Sequence, residues 1–156
     1  MRPALSHFAV LILLVSAMVG CVAHKAVLPP TGFARYSDSR EFKAVSPEGV
    51  VFRVRSEENK PFAELPFWKE ALKKRMLDAG YIFLREAPIT AVAANDQPGY
   101  LLELTAPLGE EDYTYLTAVF VRGKKIVIAE AAGEVTDLDS RRDAILAAIQ
   151  GLKLDR

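Results

Sequence analysis

Side chains able to do chemistry are few in this chain, so their positions count for more than their number. The 156 residues contain one cysteine, Cys21, and two histidines, His7 and His24. All three precede Phe33, where the first strand-like block begins, so the body of the chain has neither thiol nor imidazole. Serine–histidine–aspartate catalysis, histidine acid–base work, cysteine nucleophiles, disulfides and most zinc sites are thereby excluded for that body. No glycine-rich phosphate loop and no G-x-S-x-G elbow occurs. Neither a cofactor nor a metal is expected.

Carboxylates are the acid–base groups that remain. Glu110-Glu111-Asp112 stands before a strand-like segment, and Asp137 and Asp139 stand before a helix-like one. A glycosidase needs two carboxyls facing each other across a cleft at a defined separation, which neighbours in one loop do not supply. The acidic trio reads as a solvated loop, with weak calcium binding as the alternative, and Asp137 and Asp139 read as helix caps. A carboxylate-dependent hydrolase is the remote alternative. Lys69, Lys73, Lys74 and Arg75 read as the wet side of a helix, and the Lys73-Lys74-Arg75 run could also touch anionic headgroups or a glycan. Trp68, beside Phe67, is either an interface anchor or a core residue sharing a face with Leu72 and Met76. Tyr100, Tyr113 and Tyr115 form a strand-borne aromatic set suited to stacking on sugars or to packing across strands.

Stepping along the chain toward Cys21, Arg2 is followed by an apolar run and then by small residues up to Gly20. That is the tripartite form of a secretory signal. From Phe8 to Val19 the run is 12 residues, roughly 18 Å as a helix against roughly 30 Å of bilayer hydrocarbon, too short for a good permanent span. Met18-Val19-Gly20-Cys21 resembles the lipobox of bacterial lipoprotein precursors. The resemblance implies that Cys21 becomes a lipidated N-terminus and that the partner at this end is a membrane. Two or more acyl chains make such anchoring stable. Val22 stands where related lipoproteins retained in the inner membrane often carry Asp, so the resemblance favours the outer membrane, facing the periplasm. A plain secretory signal and an uncleaved anchor are the alternatives. Of the 20 basic and 20 acidic residues, loss of Arg2 with the signal leaves a net of −1, with no basic footprint for nucleic acid.

The expected organisation is a signal peptide over 1–20, a lipidated and proline-containing tether over 21–32, and a single domain over 33–156. The tether carries Pro29-Pro30 and is extended, long enough to hold the domain some ~30 Å from the bilayer. Within the domain, segments 41–45 and 50–55 flank Ser46-Pro47-Glu48-Gly49 and predict a hairpin with one buried face. "LPFWKEALKKRMLDAG" predicts a helix over 65–80. Segments 81–92, 100–105, 113–122 and 125–135 alternate as four strands of an antiparallel meander. Ser140-Arg141-Arg142-Asp143 has capping-box form ahead of a second amphipathic helix. The fold class is α+β, an antiparallel sheet of about five to six strands with helices packed on it.

The last two strands are apolar on both faces, so both sides of the sheet need cover. One helix on each face is the simpler arrangement. The alternative leaves Val127, Ala129, Ala131 and Gly133 as a groove for a partner or a small apolar ligand such as a lipid. "GKKIVIAEAAGEV", followed by a capped helix ending in "AAIQGLKL", is loosely similar to the PsbP-like photosystem extrinsic family. That likeness implies a compact antiparallel sheet flanked by helices and a binding or assembly role. The expectation is a non-catalytic, membrane-anchored envelope protein that binds another envelope component. Trp68, Tyr113, Tyr115, Val127, Ala129 and Ala131 are its candidate partner or ligand surface, and a lipid carrier or sensor is the alternative.

Overall fold

Period-two alternation of apolar residues builds one antiparallel sheet of seven strands in the computed structural model, which describes residues 27–36, 41–108 and 111–154. Cys21, the signal stretch and Glu110 lie outside the described residues. In chain order the elements are β1 (Ala34–Arg35), β2 (Phe42–Val45), β3 (Val51–Glu58), α1 (Leu65–Asp78), β4 (Ile82–Ala91), β5 (Gln97–Leu108), β6 (Glu111–Arg122), β7 (Lys125–Glu134) and α2 (Val135–Gln150). Their order across the sheet is β1-β2-β3-β7-β6-β5-β4. Two meanders therefore meet where β3 pairs with β7, from Val51 opposite Ala132 to Glu58 opposite Lys125.

The α+β expectation holds, and the strand count exceeds it through the two-residue β1 at the sheet edge. The hairpin turns at Ser46–Gly49, where Gly49 takes φ 96 and the Ser46 hydroxyl accepts from Val50 N at 3.2 Å. Several boundaries differ from expectation: β3 runs on to Glu58, β5 to Leu108, and β6 starts at Glu111, so Glu111 and Asp112 are in a strand and not in a loop. β5 begins at Gln97, because Gln97-Pro98-Gly99 pairs with β4 instead of looping away. α2 begins at Val135, five residues before the expected cap at Ser140. Its N-cap is Glu134, whose carboxylate accepts from Thr136 N at 3.0 Å and Asp137 N at 3.2 Å. Asp137 and Asp139 are thus inside the helix and are not its caps. Asp137 occupies the first turn, where the helix dipole favours an anion, and Asp139 pairs with Arg142 at 2.7 Å.

The helices lie on opposite faces of the sheet. Under α2, Leu138, Ile145 and Ile149 pack with Phe42, Phe52, Leu116 and Phe120. This cluster also takes in Val127, Ala129 and Ala131, at 9 %, 0 % and 1 % exposure. Gly133 is filled against Val50, whose Cγ2 would stand 2.9 Å from an added Cβ. The groove weighed as the alternative at 127–133 is therefore closed by α2, and these residues are core. The same cluster reaches back to Val27 and forward to Leu152 and Leu154. Val27 and Pro30, expected in the spacer, are buried on the domain, because an apolar segment beside an apolar layer gains by docking.

On the opposite face Leu72 and Met76 of α1 pack on Leu102, Leu104, Val119, Ile126 and Ile128, with Leu65 and Trp68 half-buried beside them. Among the described residues no helix is long and apolar enough to cross a membrane.

Candidate functional site: an ion-paired cleft on the open half of the sheet

A helix is roughly 10 Å across and strands are spaced about 4.8 Å, so one helix can shelter only two or three strands. α1 lies over β4, β5 and β6. On that side β7 is sheltered only at Ile126 and Ile128, and the stretch beyond them, with β3 and β2, has no helix above it and carries Lys43, Arg53, Arg55 and Glu130. Register lines these up: Lys43 opposite Arg53, Arg53 opposite Glu130, and Glu130 opposite Thr117.

Glu130 is the centre of this surface, 4 % exposed in the middle of a central strand. A buried carboxylate is costly unless paired, and this one is held from three sides. Its Oε2 accepts from Arg53 Nε at 2.8 Å and Nη2 at 2.6 Å, and from Arg55 Nε at 3.3 Å. Its Oε1 accepts from the Tyr115 hydroxyl at 2.6 Å. Arg55 also reaches Glu57. Burial, and then the hydrogen bond to Glu130, push the Tyr115 phenol well above the ordinary tyrosine range. Burial works against the Arg53 guanidinium, but the charge of Glu130 outweighs it and raises the guanidinium above its usual value.

Arg53, Tyr115 and Glu130, with Glu41, Lys43, Val51 and Ala132, border a cleft of about 300 Å³. Beside it a smaller apolar slot of about 100 Å³ opens between α1 and the sheet, lined by Trp68, Leu72, Val119 and Ile128, with Arg55 and Arg75 at its rim. Next to Glu130, the Thr117 hydroxyl is buried and has no hydrogen-bond partner. The surface thus offers guanidinium donors next to an apolar recess. Glu130 itself is a spent acceptor, occupied by charge-assisted bonds.

Tyr115 is the expected candidate that the fold brings to this cleft, where its ring meets Tyr81 edge-to-face at 5.2 Å. Trp68 lines the neighbouring slot, and its Nε1 donates to Asn59 Oδ1 at 2.6 Å. Tyr113 is half-buried farther along β6, opposite Glu134. Tyr100 is covered by Lys69, whose Nζ lies 4.8 Å from the ring centroid. Lys69 and Lys73 are therefore not on the wet side of α1. Both reach Glu86, at 2.6 and 3.3 Å, and Lys73 also sits 3.7 Å from the Phe83 centroid. Lys74 and Arg75 are exposed. Of the acidic trio, Asp112 is exposed at the start of β6. Among the described residues no group of three or more His, Cys, Asp or Glu could hold a metal ion.

Sequence reasoning missed Glu130 and its counterpart under α2, Glu103. Glu103 accepts from Arg142 Nη2 and Arg85 Nε, both at 2.7 Å. Burial opposes its charge, yet the two arginines hold its carboxyl below the usual glutamate range. The signal was present: each is a lone acid inside an apolar strand, "IVIAEAA" and "LLELT", which requires a buried cationic partner.

No protein-family model and no curated protein matches the chain. Among solved structures it is similar to PA94 from Pseudomonas aeruginosa, a protein of unknown function, with a TM-score of 0.60 and 12 % identity over 80 % of this chain and 98 % of that one. At that identity the likeness shows the fold alone.

Proposed function

We propose that this chain is an envelope lipoprotein, held at the periplasmic side of the outer membrane through acyl chains on Cys21, whose domain binds another envelope component without catalysis. The observation that carries the reading is Met18-Val19-Gly20-Cys21 at the end of a short apolar run. The binding surface is the open half of the sheet, where Arg53 and Tyr115 flank an apolar slot ending at Trp68.

The non-catalytic part of the reading is supported by the carboxylates. A general acid at neutral pH needs its pKa raised toward 7. Glu103, Glu86 and Glu48 are instead driven below the ordinary range, by arginine partners at Glu103 and Glu48 and by lysine partners at Glu86. Such groups are fixed charges that orient neighbours.

Replacement of Cys21 by Ala tests the anchor: the variant should move from the membrane fraction to the soluble periplasmic fraction. Its retention in the membrane would overturn the lipidated reading. Photocrosslinking in cells from the Arg75 position should capture one discrete partner, lost when Arg53→Glu is added. Capture unaffected by that substitution would overturn the assigned surface.

A further inference from the structure

At the end of β3 opposite the β2–β3 turn, the loop over 59–63 is fixed with unusual thoroughness. Asn59, 3 % exposed, donates from Nδ2 to Ala63 O and to Gly123 O, both at 3.0 Å. Its Oδ1 accepts from Ala63 N at 3.0 Å and from Trp68 Nε1 at 2.6 Å. Its backbone N–H donates to Lys124 O at 2.8 Å. The loop is thereby tied on one side to the β6–β7 turn and on the other to α1.

What this rigid loop presents is Phe62, 71 % exposed and outside both core clusters. A large apolar ring held outward does nothing for folding, and its surroundings say what it suits. Phe62, Lys60 and Lys124 border one shallow recess, together with Glu58. Arg122, Lys124 and Lys125 border the next. Lys60 is paired with Glu58 at 2.6 Å, and Arg122 donates to the Leu154 carbonyl. Lys124 and Lys125 have no side-chain ion pair among the described residues. An exposed ring beside two ammonium groups that have no ion pair among the described residues is complementary to an anionic interface with an apolar layer beneath it.

We infer that this end of the domain docks on a bilayer surface, with Phe62 entering the headgroup boundary and Lys124 and Lys125 meeting anionic lipid headgroups. The inference rests on the anchored reading for the nearness of the bilayer. Val27 is packed on the domain, which leaves residues 22–26 between it and Cys21. Six residue steps from Cys21 to Val27 reach at most about 21 Å, whereas α2, with 16 residues, is about 24 Å long. The anchored domain therefore stays within its own length of the lipid.

The test uses the full chain made in cells, purified from membranes and reconstituted into vesicles. A Phe62→Cys variant carries a polarity-sensitive fluorophore, and an Asp143→Cys variant labelled on the exposed side of α2 is the control. The Phe62 probe should report an apolar setting in phosphatidylethanolamine–phosphatidylglycerol vesicles and a watery one in phosphatidylcholine, while the control stays watery in both. Charge reversal in Lys124→Glu and Lys125→Glu should lower the docked-to-free ratio by at least about fivefold per lysine, and added salt should lower it too. Equal emission in the two vesicle types, or indifference to charge reversal, overturns the docking. A mature chain with an unmodified Cys21 refutes the anchored reading instead; docking then stands or falls on whether that chain co-sediments with anionic and not with neutral vesicles. Phe62, Lys124 and Asp143 are exposed and Lys125 is half-buried at the start of β7, so unchanged circular dichroism in each variant separates lost docking from lost folding.

Discussion

Replacing Asn59 with Ala should destabilise the domain strongly. The side chain is buried and makes four hydrogen bonds, two donated and two accepted, to Ala63, Gly123 and Trp68. Alanine leaves two carbonyls and two N–H groups without partners. Each net hydrogen bond contributes about 0.5–1.5 kcal/mol, so the four together are worth about 2–6 kcal/mol. Water can reach the exposed carbonyl side of the loop, which puts the expected loss near 3 kcal/mol. With a urea m-value of about 1.5 kcal/mol/M, the unfolding midpoint should fall by about 2 M at constant slope. Trp68, the single tryptophan, donates to Asn59 and reports the transition by its own fluorescence. Asn59→Asp is a sharper companion. It keeps the two accepted bonds but turns oxygen toward the Ala63 and Gly123 carbonyls, so its destabilisation should ease as pH falls and the new carboxyl is protonated. A midpoint shift under about 0.5 M for Asn59→Ala would mean that the loop is not held by this side chain, and the account of a rigidly presented Phe62 would fail with it.

Gly99→Ala should cost about 3 kcal/mol, because its Cβ would stand 2.5 Å from two Phe120 ring atoms and 2.7 Å from the Val119 carbonyl oxygen. Phe120 is fully buried and cannot swing aside, so calorimetry should show Tm lowered by about 10 °C, and an unchanged Tm would contradict the close approach. Tyr115 supplies a pH dependence: its folded pKa lies above the unfolded value, so its contribution is complete below about pH 10 and is lost as pH rises through the folded value. Glu130→Gln removes the facing charge while burial remains, so tyrosinate absorbance should appear at lower pH than in the parent; superimposable titrations would show that Glu130 does not hold the phenol.

Element type was legible in the sequence wherever one periodicity ran unopposed. Val50, Phe52 and Val54 alternate with polar neighbours, and they are buried as that alternation demands. The start of α2 was not legible, because Val135 and Thr136 are β-branched and continue the strand pattern of β7. A glutamate side chain ended that strand by capping the backbone, a role that Ser, Thr, Asp and Asn fill more often. The lysines of α1 misled for a related reason. A run of like charges suggests a solvated face, but Lys69 and Lys73 lay their stems over Tyr100 and Phe83 and send their ammonium groups to Glu86.

The cleft was hidden for a reason of geometry. Arg53 and Arg55 occupy alternate positions of β3, which by pattern alone is the wet side of a half-buried strand, and Glu130 looks like an interruption of an apolar one. Only the strand order reveals that these residues share one face, since β3 and β7 are separated in sequence by α1 and three strands and become neighbours at the centre of the sheet. Two helices cannot roof both faces of a seven-stranded sheet, so some central residues must do without helical cover. An apolar set there would leave a large exposed patch open to aggregation. The chain instead sets a carboxylate between two guanidinium groups and a phenol, which closes the backbone from water while leaving hydrogen-bond donors at the rim. Stability and recognition then make opposite demands on the same residues. Arg55 is bound on both sides, to Glu57 and Glu130, and serves the fold. Arg53 keeps 43 % of its side chain exposed, so a partner can meet it without breaking the pair beneath.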